Sequence, residues 1–262
     1  MTELIKSIQV NIPFTLLQGS YLTYFLERRL NPEIGLDAQA LEDFSLAHFG
    51  RIAQALRQRG LTVTLHGPFM DLAPGSPDPD VRSLTTRRFE QVLELVPLFR
   101  PKTVVFHAGY DQRRYRFVKE AWLENSLRTW PSLAKRIVGE GSLLVLENVY
   151  EEGPQDMGVL FRGLEDYGVG FCLDTGHQAA FGRVPLERWV SSLYPYLKQV
   201  HLHDNQGDKD EHLALGKGNI DFQGLLDSLR AKTQEPPIIT LEPHKGEDFL
   251  PSLEYLERIW PW

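Results

Sequence analysis

One cysteine, Cys172, stands in a chain of 262 residues, which rules out an internal disulfide framework and suits a reducing compartment. Long apolar runs are missing too, and none approaches the roughly 20 residues that a membrane-crossing helix needs. The stretch Met1–Asn11 carries Glu3 and Lys6 and lacks the apolar core and cleavage site of a signal peptide. The expected location is therefore the cytoplasm, with no membrane partner. Basic charge is scarce: 28 Lys and Arg against 35 Asp and Glu give a formal charge of −7. That balance supplies no general attraction to nucleic acid, although it leaves room for local basic patches. No linker or shift in composition divides the chain, and self-association into a homo-oligomer is neither required nor opposed.

What the chain has in quantity is short apolar or β-branched runs. They are Leu4–Val10, Pro32–Leu36, Leu61–His66, Thr103–His107, Ser142–Glu147, Val169–Asp174, Lys198–His203 and Pro237–Glu242. Between them lie stretches with helical periodicity, among them Leu41–Arg59, Val81–Leu98, Phe117–Val138 and Phe222–Arg230. Gly60 stands where a C-capping glycine belongs, and Pro101 and Gly141 break the chain before the next strands. Eight strand–helix units at this length predict a closed (β/α)8 TIM barrel, one domain over residues 1–262, in preference to an open sheet. Asp248–Trp262, with Phe249, Leu250, Leu253, Leu256, Ile259 and Trp260 on one face, reads as the closing helix. Phe14, Tyr21, Tyr24 and Phe25 follow the first strand and are candidates for core or for substrate contact.

The polar residues fall at the strand ends. The sixth run ends in Asp174, with His177 three residues on; the pair reads as a helix cap beside a surface imidazole, or as two ligands of one metal ion. By strand alternation Cys172 shares the inward face of Asp174 and reads as a packed core thiol. The pattern then recurs: His66, His107, Glu147, Asp174, His201 and Glu242 end six consecutive strands at spacings of 41, 40, 27, 27 and 41 residues. In a barrel these ends converge on one face. Burying so many ionisable groups together is costly unless something pairs them, and a divalent cation does so. Mixed imidazole and carboxylate donors suit zinc, manganese or iron better than calcium. Asp210 and His212, two residues apart in the loop after the seventh strand, can face the same point. Arg113, Arg114 and Arg116, interleaved with Tyr110 and Tyr115, read as a solvated helix start, as an anion clamp or as a single-strand contact.

Six motifs carry a family resemblance: His66-Gly-Pro-Phe, His107-Ala-Gly, Leu146-Glu-Asn, Leu173-Asp-Thr-Gly-His, His201-Leu-His-Asp and Leu215-Gly-Lys-Gly-Asn-Ile. In order, they resemble the xylose isomerase-like TIM-barrel superfamily of sugar isomerases, epimerases and endonuclease IV. Likeness to endonuclease IV implies three zinc ions on His66, His107, Glu147, Asp174, His177, His201, Asp210, His212 and Glu242. Likeness to the ketose 3-epimerases implies one metal on Glu147, Asp174, a strand-seven histidine and Glu242, with His203 the better counterpart and His177 on the substrate. Strand alternation turns His201 and His203 to one face, so both stay open as ligands. Two departures weaken the DNA reading: Gly35–Asp43 is acidic where the nuclease is basic and aromatic, and Lys217 replaces an acidic residue. Phe69-Met70 remains as an apolar wedge.

The expectation is a metal-dependent isomerase or epimerase of a small sugar or sugar phosphate, holding one to three ions, with zinc or manganese foremost. Glu147 and Glu242 would exchange a proton beside a carbonyl, His177 would orient the substrate, and Arg113, Arg114 and Arg116 would hold a phosphate. The alternatives are a multi-zinc phosphoesterase, acting on abasic DNA or a smaller diester, and a barrel that binds metal or sugar without turnover.

Overall fold

Ile8–Pro13 (β1), Asn31–Gly35 (β2), Thr64–His66 (β3), Thr103–His107 (β4), Leu143–Glu147 (β5), Gly170–Asp174 (β6), Leu197–Leu202 (β7) and Ile238–Leu241 (β8) pair in parallel. They close in sequence order, with β8 hydrogen-bonded back to β1, as the sequence predicts. The structure is a computed structural model and describes residues 3–262. Outside the strands lie Leu22–Arg28 (α1), Leu46–Gln58 (α2), Pro79–Leu93 (α3), Lys119–Gly139 (α4), Pro154–Gly163 (α5), Leu186–Leu193 (α6), Phe222–Arg230 (α7) and Gly246–Ile259 (α8). Among the described residues no helix is long and apolar enough to cross a membrane.

Several boundaries move for local reasons. The first run opens in a 3-10 turn, Glu3–Lys6, so β1 starts only at Ile8. The helix expected over Leu41–Arg59 is two: Ala38–Asp43 ends before Ser45, whose hydroxyl accepts the His48 N–H at 3.3 Å and starts α2. Likewise Val81–Leu98 divides after Leu93, and Pro97 sits in the first turn of a short helix, Val96–Phe99, where no N–H is needed. On α8, Phe249, Leu253 and Leu256 are buried, but Leu250 is 46% exposed. A step of one residue turns about 100° around a helix, so Leu250 leaves the face of Phe249.

The core has two parts. Between helices and strands, large rings are fully covered, with Phe89 stacked on Trp130 at 5.3 Å and Trp122 and Trp189 inaccessible. Phe14 and Phe25 join this layer, and Tyr21 and Tyr24 stay half-buried. Inside the barrel, Val105, Val145 and Cys172 form a small apolar plug, as expected for the thiol. Glu33, Thr64, Thr103, Gln199 and Thr240 are also buried, so the floor beneath the mouth is partly polar.

Candidate metal centre

Period-two alternation decides what reaches the mouth. On β6 it turns Cys172 and Asp174 inward, and on β7 Gln199 and His201, with His203 one step further on. Register then sets neighbours side by side: His107 pairs with Glu147, and Asp174 with His201. Just past β5, Asn148 extends the pairing with its side chain. Its Nδ2 donates to the Asp174 carbonyl and its Oδ1 accepts the Asp174 N–H, each at 3.0 Å. Asp174 proves to be both cap and candidate ligand. Its Oδ1 accepts the His177 N–H at 2.6 Å, starting the helix Thr175–Phe181, while both oxygens lie 3.1 Å from His203 Nε2.

Three groups of donors meet here. His66 Nε2 is 3.0 Å and His107 Nε2 3.7 Å from opposite oxygens of Glu147, and the three ligand atoms lie within 4.8 Å of one another. His201 Nδ1 faces Glu242 at 2.9 Å, Glu147 at 3.4 Å and Asp174 at 3.9 Å. His177, His203, Asp210 and His212 make the third group, again within 4.8 Å, with Asp210 reaching His177 Nε2 at 3.3 Å and His212 Nε2 at 3.2 Å. The groups are contiguous, because His177 Nδ1 is also 3.0 Å from Glu147. His203 and His212 stack in parallel at 3.6 Å, and His244 stacks on His212 at 3.4 Å. His212 holds its place at a φ of 49°, a left-handed backbone seldom adopted outside glycine.

Charge follows from this crowding. Burial alone would raise Glu147, yet the imidazoles of His107, His201, His177 and His66 hold its carboxyl well below the usual range. Glu242 is likewise pulled against its burial, down to about 2, by His201. Burial disfavours charge on His177 and His201 too, but their carboxylate neighbours, with the Cys172 thiol beside His201, raise both well above an ordinary imidazole. His107 goes the other way: burial lowers it to about 3, leaving a neutral ring with a free lone pair.

The donor set fits a divalent ion. Mixed nitrogen and carboxylate oxygen donors suit zinc or manganese. Two deeply buried ring nitrogens, His201 Nδ1 and His203 Nδ1, have no hydrogen-bond partner among the described residues. Buried polar atoms are normally satisfied, and ring nitrogens turned toward carboxylates are where a cation would displace a proton and bind.

The sequence pattern of the xylose isomerase-like TIM barrel matches residues 32–259. The chain belongs to the xylose isomerase-like TIM-barrel family. An uncharacterized protein of Methanocaldococcus jannaschii is 28% identical over 205 residues, covering 75% of this chain and 69% of its own. A protein named "Probable endonuclease 4", from Mycobacterium leprae, is 24% identical over 207 residues, covering 74% of this chain and 78% of its own. Among solved structures, the TTHB071 protein of Thermus thermophilus, soaked with ZnCl2, superposes with a TM-score of 0.81 at 26% identity over 97% of both chains. A D-tagatose 3-epimerase-like protein reaches 0.79 at 24% identity, covering 97% of this chain and 96% of that one, a likeness of fold.

Within this xylose isomerase-like barrel, the ten residues His66, His107, Glu147, Asp174, His177, His201, His203, Asp210, His212 and Glu242 all lie in the three contiguous groups. The arginines do not join them. Arg113 and Arg114, 73% and 74% exposed, are tied to Asp111 at 3.2 and 3.6 Å, and Arg116 lies over the Phe117 ring at 4.4 Å. The anion clamp expected from sequence is thus not assembled, because a local carboxylate claims two guanidinium groups. Phe69 stacks on His107 at 4.6 Å, leaving Met70 73% exposed beside it.

Sequence reasoning passed over Glu33, which is fully buried, and His244 as a stacking partner. It also left Asp204 without a role. Asp204 is no ligand but the anchor of the loop that carries Asp210 and His212. Its carboxylate accepts the N–H groups of Asn205, Gly216, Gly218 and Ile220, and its backbone pairs with Leu213. The glycines of Gly216-Lys-Gly218 were the available signal: a Cβ on Gly218 would sit 2.3 Å from Asp204 Oδ1. Asp204→Ala should therefore leave four N–H groups to find other partners, with a loss of more than about 2 kcal/mol in urea unfolding. Metal titration should show the His177–His212 group weakened; an unchanged unfolding midpoint and full metal binding would contradict this.

Proposed function

We propose that this barrel is a multinuclear divalent-metal phosphoesterase acting on a small phosphate ester or diester. One observation carries the reading: Glu147 belongs to two of three contiguous donor groups and touches His177 of the third, which together hold more donors than a single ion can use. Divalent ions held there would supply Lewis acidity, making water nucleophilic at neutral pH and neutralising phosphoryl and leaving-group oxygens. The chain's own residues do the positioning. Glu147 spans the His66–His107 group and the His177 side, so its two oxygens fix the separation of the groups. His177, gripped between Glu147 and Asp210, holds the outer group against the inner ones. Phe69 covers one face of the His107 ring. Likeness to endonuclease 4 and to a zinc-soaked structure supports the chemistry. The exposed acids Asp37, Glu42 and Asp43 after β2, with the net charge of −7, favour a small substrate over duplex DNA.

The second reading is the metal-dependent isomerase or epimerase that the sequence put first. It draws support from one feature: Glu147 and Glu242 approach the same atom, His201 Nδ1, from two directions. A single ion there would leave a carboxylate on either side of a substrate carbon, with His177 as the substrate contact. It ranks second because a single ion at His201 would leave the His177, His203, Asp210 and His212 donors without one. Elemental analysis of the purified protein, followed by assays with a chromogenic phosphodiester, an abasic-site duplex and ketohexoses, separates the two. More than one ion per chain with hydrolysis of the small diester, and only weak salt-sensitive binding to the duplex, is the expected result. One ion with epimerisation of a ketose would reverse the ranking, and nanomolar binding with incision would make DNA the substrate.

A further inference from the structure

We propose that Glu33 is a positioning residue for the metal centre, a buried carboxylate that fixes His201 so that Nδ1, and not Nε2, is the ligand nitrogen. The inference rests on the metal-centre reading but goes beyond it, since nothing in the ligand groups themselves requires an acid at this position on β2. Glu33 is fully buried in the barrel floor. Its Oε2 accepts from Thr64 Oγ1 at 2.8 Å, from Thr240 Oγ1 at 3.3 Å and from the Gln199 amide. Its Oε1 accepts from Asn11 Nδ2 at 3.3 Å and lies 3.1 Å from His201 Nε2.

With Oε2 saturated by neutral donors, Oε1 is the oxygen left for the imidazole. The Gln199 amide nitrogen also lies 3.1 Å from Nε2, but its two hydrogens are taken by Glu33 Oε2 and Thr240 Oγ1, so the ring proton on Nε2 goes to Glu33 Oε1. The other nitrogen, Nδ1, points away from the floor toward Glu242, Glu147 and Asp174, and is the one whose proton a cation would displace. With His203 Nδ1, it is one of two buried ring nitrogens in the cluster without a hydrogen-bond partner among the described residues. Facing three carboxylates, Nδ1 holds a proton in the metal-free cluster and offers its lone pair once a cation takes the proton's place. Glu33 is close enough to His201 and Glu242 to be taken for a ligand itself. Its oxygens are engaged by five donors, however, and they contact Nε2, the ring nitrogen opposite the cluster. A carboxylate on the far nitrogen of a ligating histidine sets the tautomer, fixes the ring plane and raises the basicity of the ligating atom.

The test uses zinc-loaded full-length protein. In the wild type with 15N-labelled histidine, NMR should show His201 with a slowly exchanging Nε2–H and a metal-shifted Nδ1. Glu33→Gln should weaken one zinc-binding step by about 10–100-fold in chelator competition and leave the step lost in His107→Ala unchanged. Cobalt substitution should show an altered visible spectrum for that same step. A folded Glu33→Gln protein with a lowered Tm but unchanged zinc affinities would assign Glu33 to the barrel floor alone and overturn the proposal. A spectrum with the metal on Nε2 overturns it even where Glu33→Gln does not fold. Wild type that binds no ion removes both this inference and the metal centre, whereas loaded wild type with an indifferent Glu33→Gln removes this inference only.

Discussion

Glu147→Gln is expected to abolish activity and to strip most of the metal, whereas His107→Ala is expected to lose one ion and keep the others. The difference follows from how many imidazoles each residue serves. Glu147 places its two oxygens 3.0 Å from His66, 3.0 Å from His177, 3.4 Å from His201 and 3.7 Å from His107. A glutamine keeps the shape, but it puts a donor where an anionic acceptor stood and removes a charge common to the groups. With the acid gone, neighbouring imidazoles have no buried counter-charge and the remaining donors cannot complete coordination. His107, by contrast, belongs to one group, and its neutral ring serves as a nitrogen donor rather than as a counter-ion. In a multinuclear phosphoesterase, His107→Ala should lower kcat on a small phosphodiester by at least about 100-fold while most of the metal stays bound. Elemental analysis and single-turnover assays of the two variants check this. Metal content unchanged in both variants would show that Glu147 is not a ligand. Undiminished turnover of a sugar by His107→Ala would favour the one-metal epimerase.

The contrast between these residues shows how far the sequence could be read. The gathering of candidate ligands was legible because a parallel barrel brings its C-terminal strand ends together, so a histidine or acid closing each of six runs had one destination. The barrel itself was legible for the same reason, through repetition and not through any single element. Glu33 escaped because it lies mid-strand in Pro32–Leu36, where one acid among apolar residues looks like the solvent side of an alternating strand. Its partners are distant in sequence: Gln199 is 166 residues away and Thr240 is 207. His201 and His203 share a face, as alternation required, but depth separates their partners. His201 contacts Glu33 and Glu242, and His203 contacts Asp174 and Asp210. Sequence spacing carries facing but not depth. The arginines stand apart for a different reason: Asp111 caps the helix Gln112–Tyr115 and its carboxylate also holds Arg113 and Arg114, a local pairing that spacing alone does not single out.

Removing the metal is expected to lower Tm on the order of 10 °C, and to do so more at about pH 8 than at about pH 6. Binding to the native state alone contributes ~4 kcal/mol at a thousandfold excess over Kd, which sets the scale. The pH dependence comes from the titrating groups of the cluster. Glu242, held near 2 in the fold against an ordinary 4.5, contributes stability that is present above 4.5 and lost as pH falls through 2. His177 and His201, raised well above an ordinary 6.5, contribute stability that is full below 6.5 and lost as pH rises through their folded values. Between these limits the metal-free cluster is held by imidazolium–carboxylate pairs. On the alkaline side those pairs lose their protons, and Glu147, Asp174 and Glu242 become mutually repelling anions under almost no solvent. A divalent ion meets the opposite gradient. At lower pH it must displace protons from the same ring nitrogens, and at higher pH it finds them free. The apo and loaded melting curves should therefore diverge as pH rises. Scanning calorimetry after exhaustive chelation, with the released metal counted, makes the measurement. Equal melting temperatures at both pH values, with no metal released, would show that histidine–carboxylate pairing alone holds the cluster and that no ion belongs there.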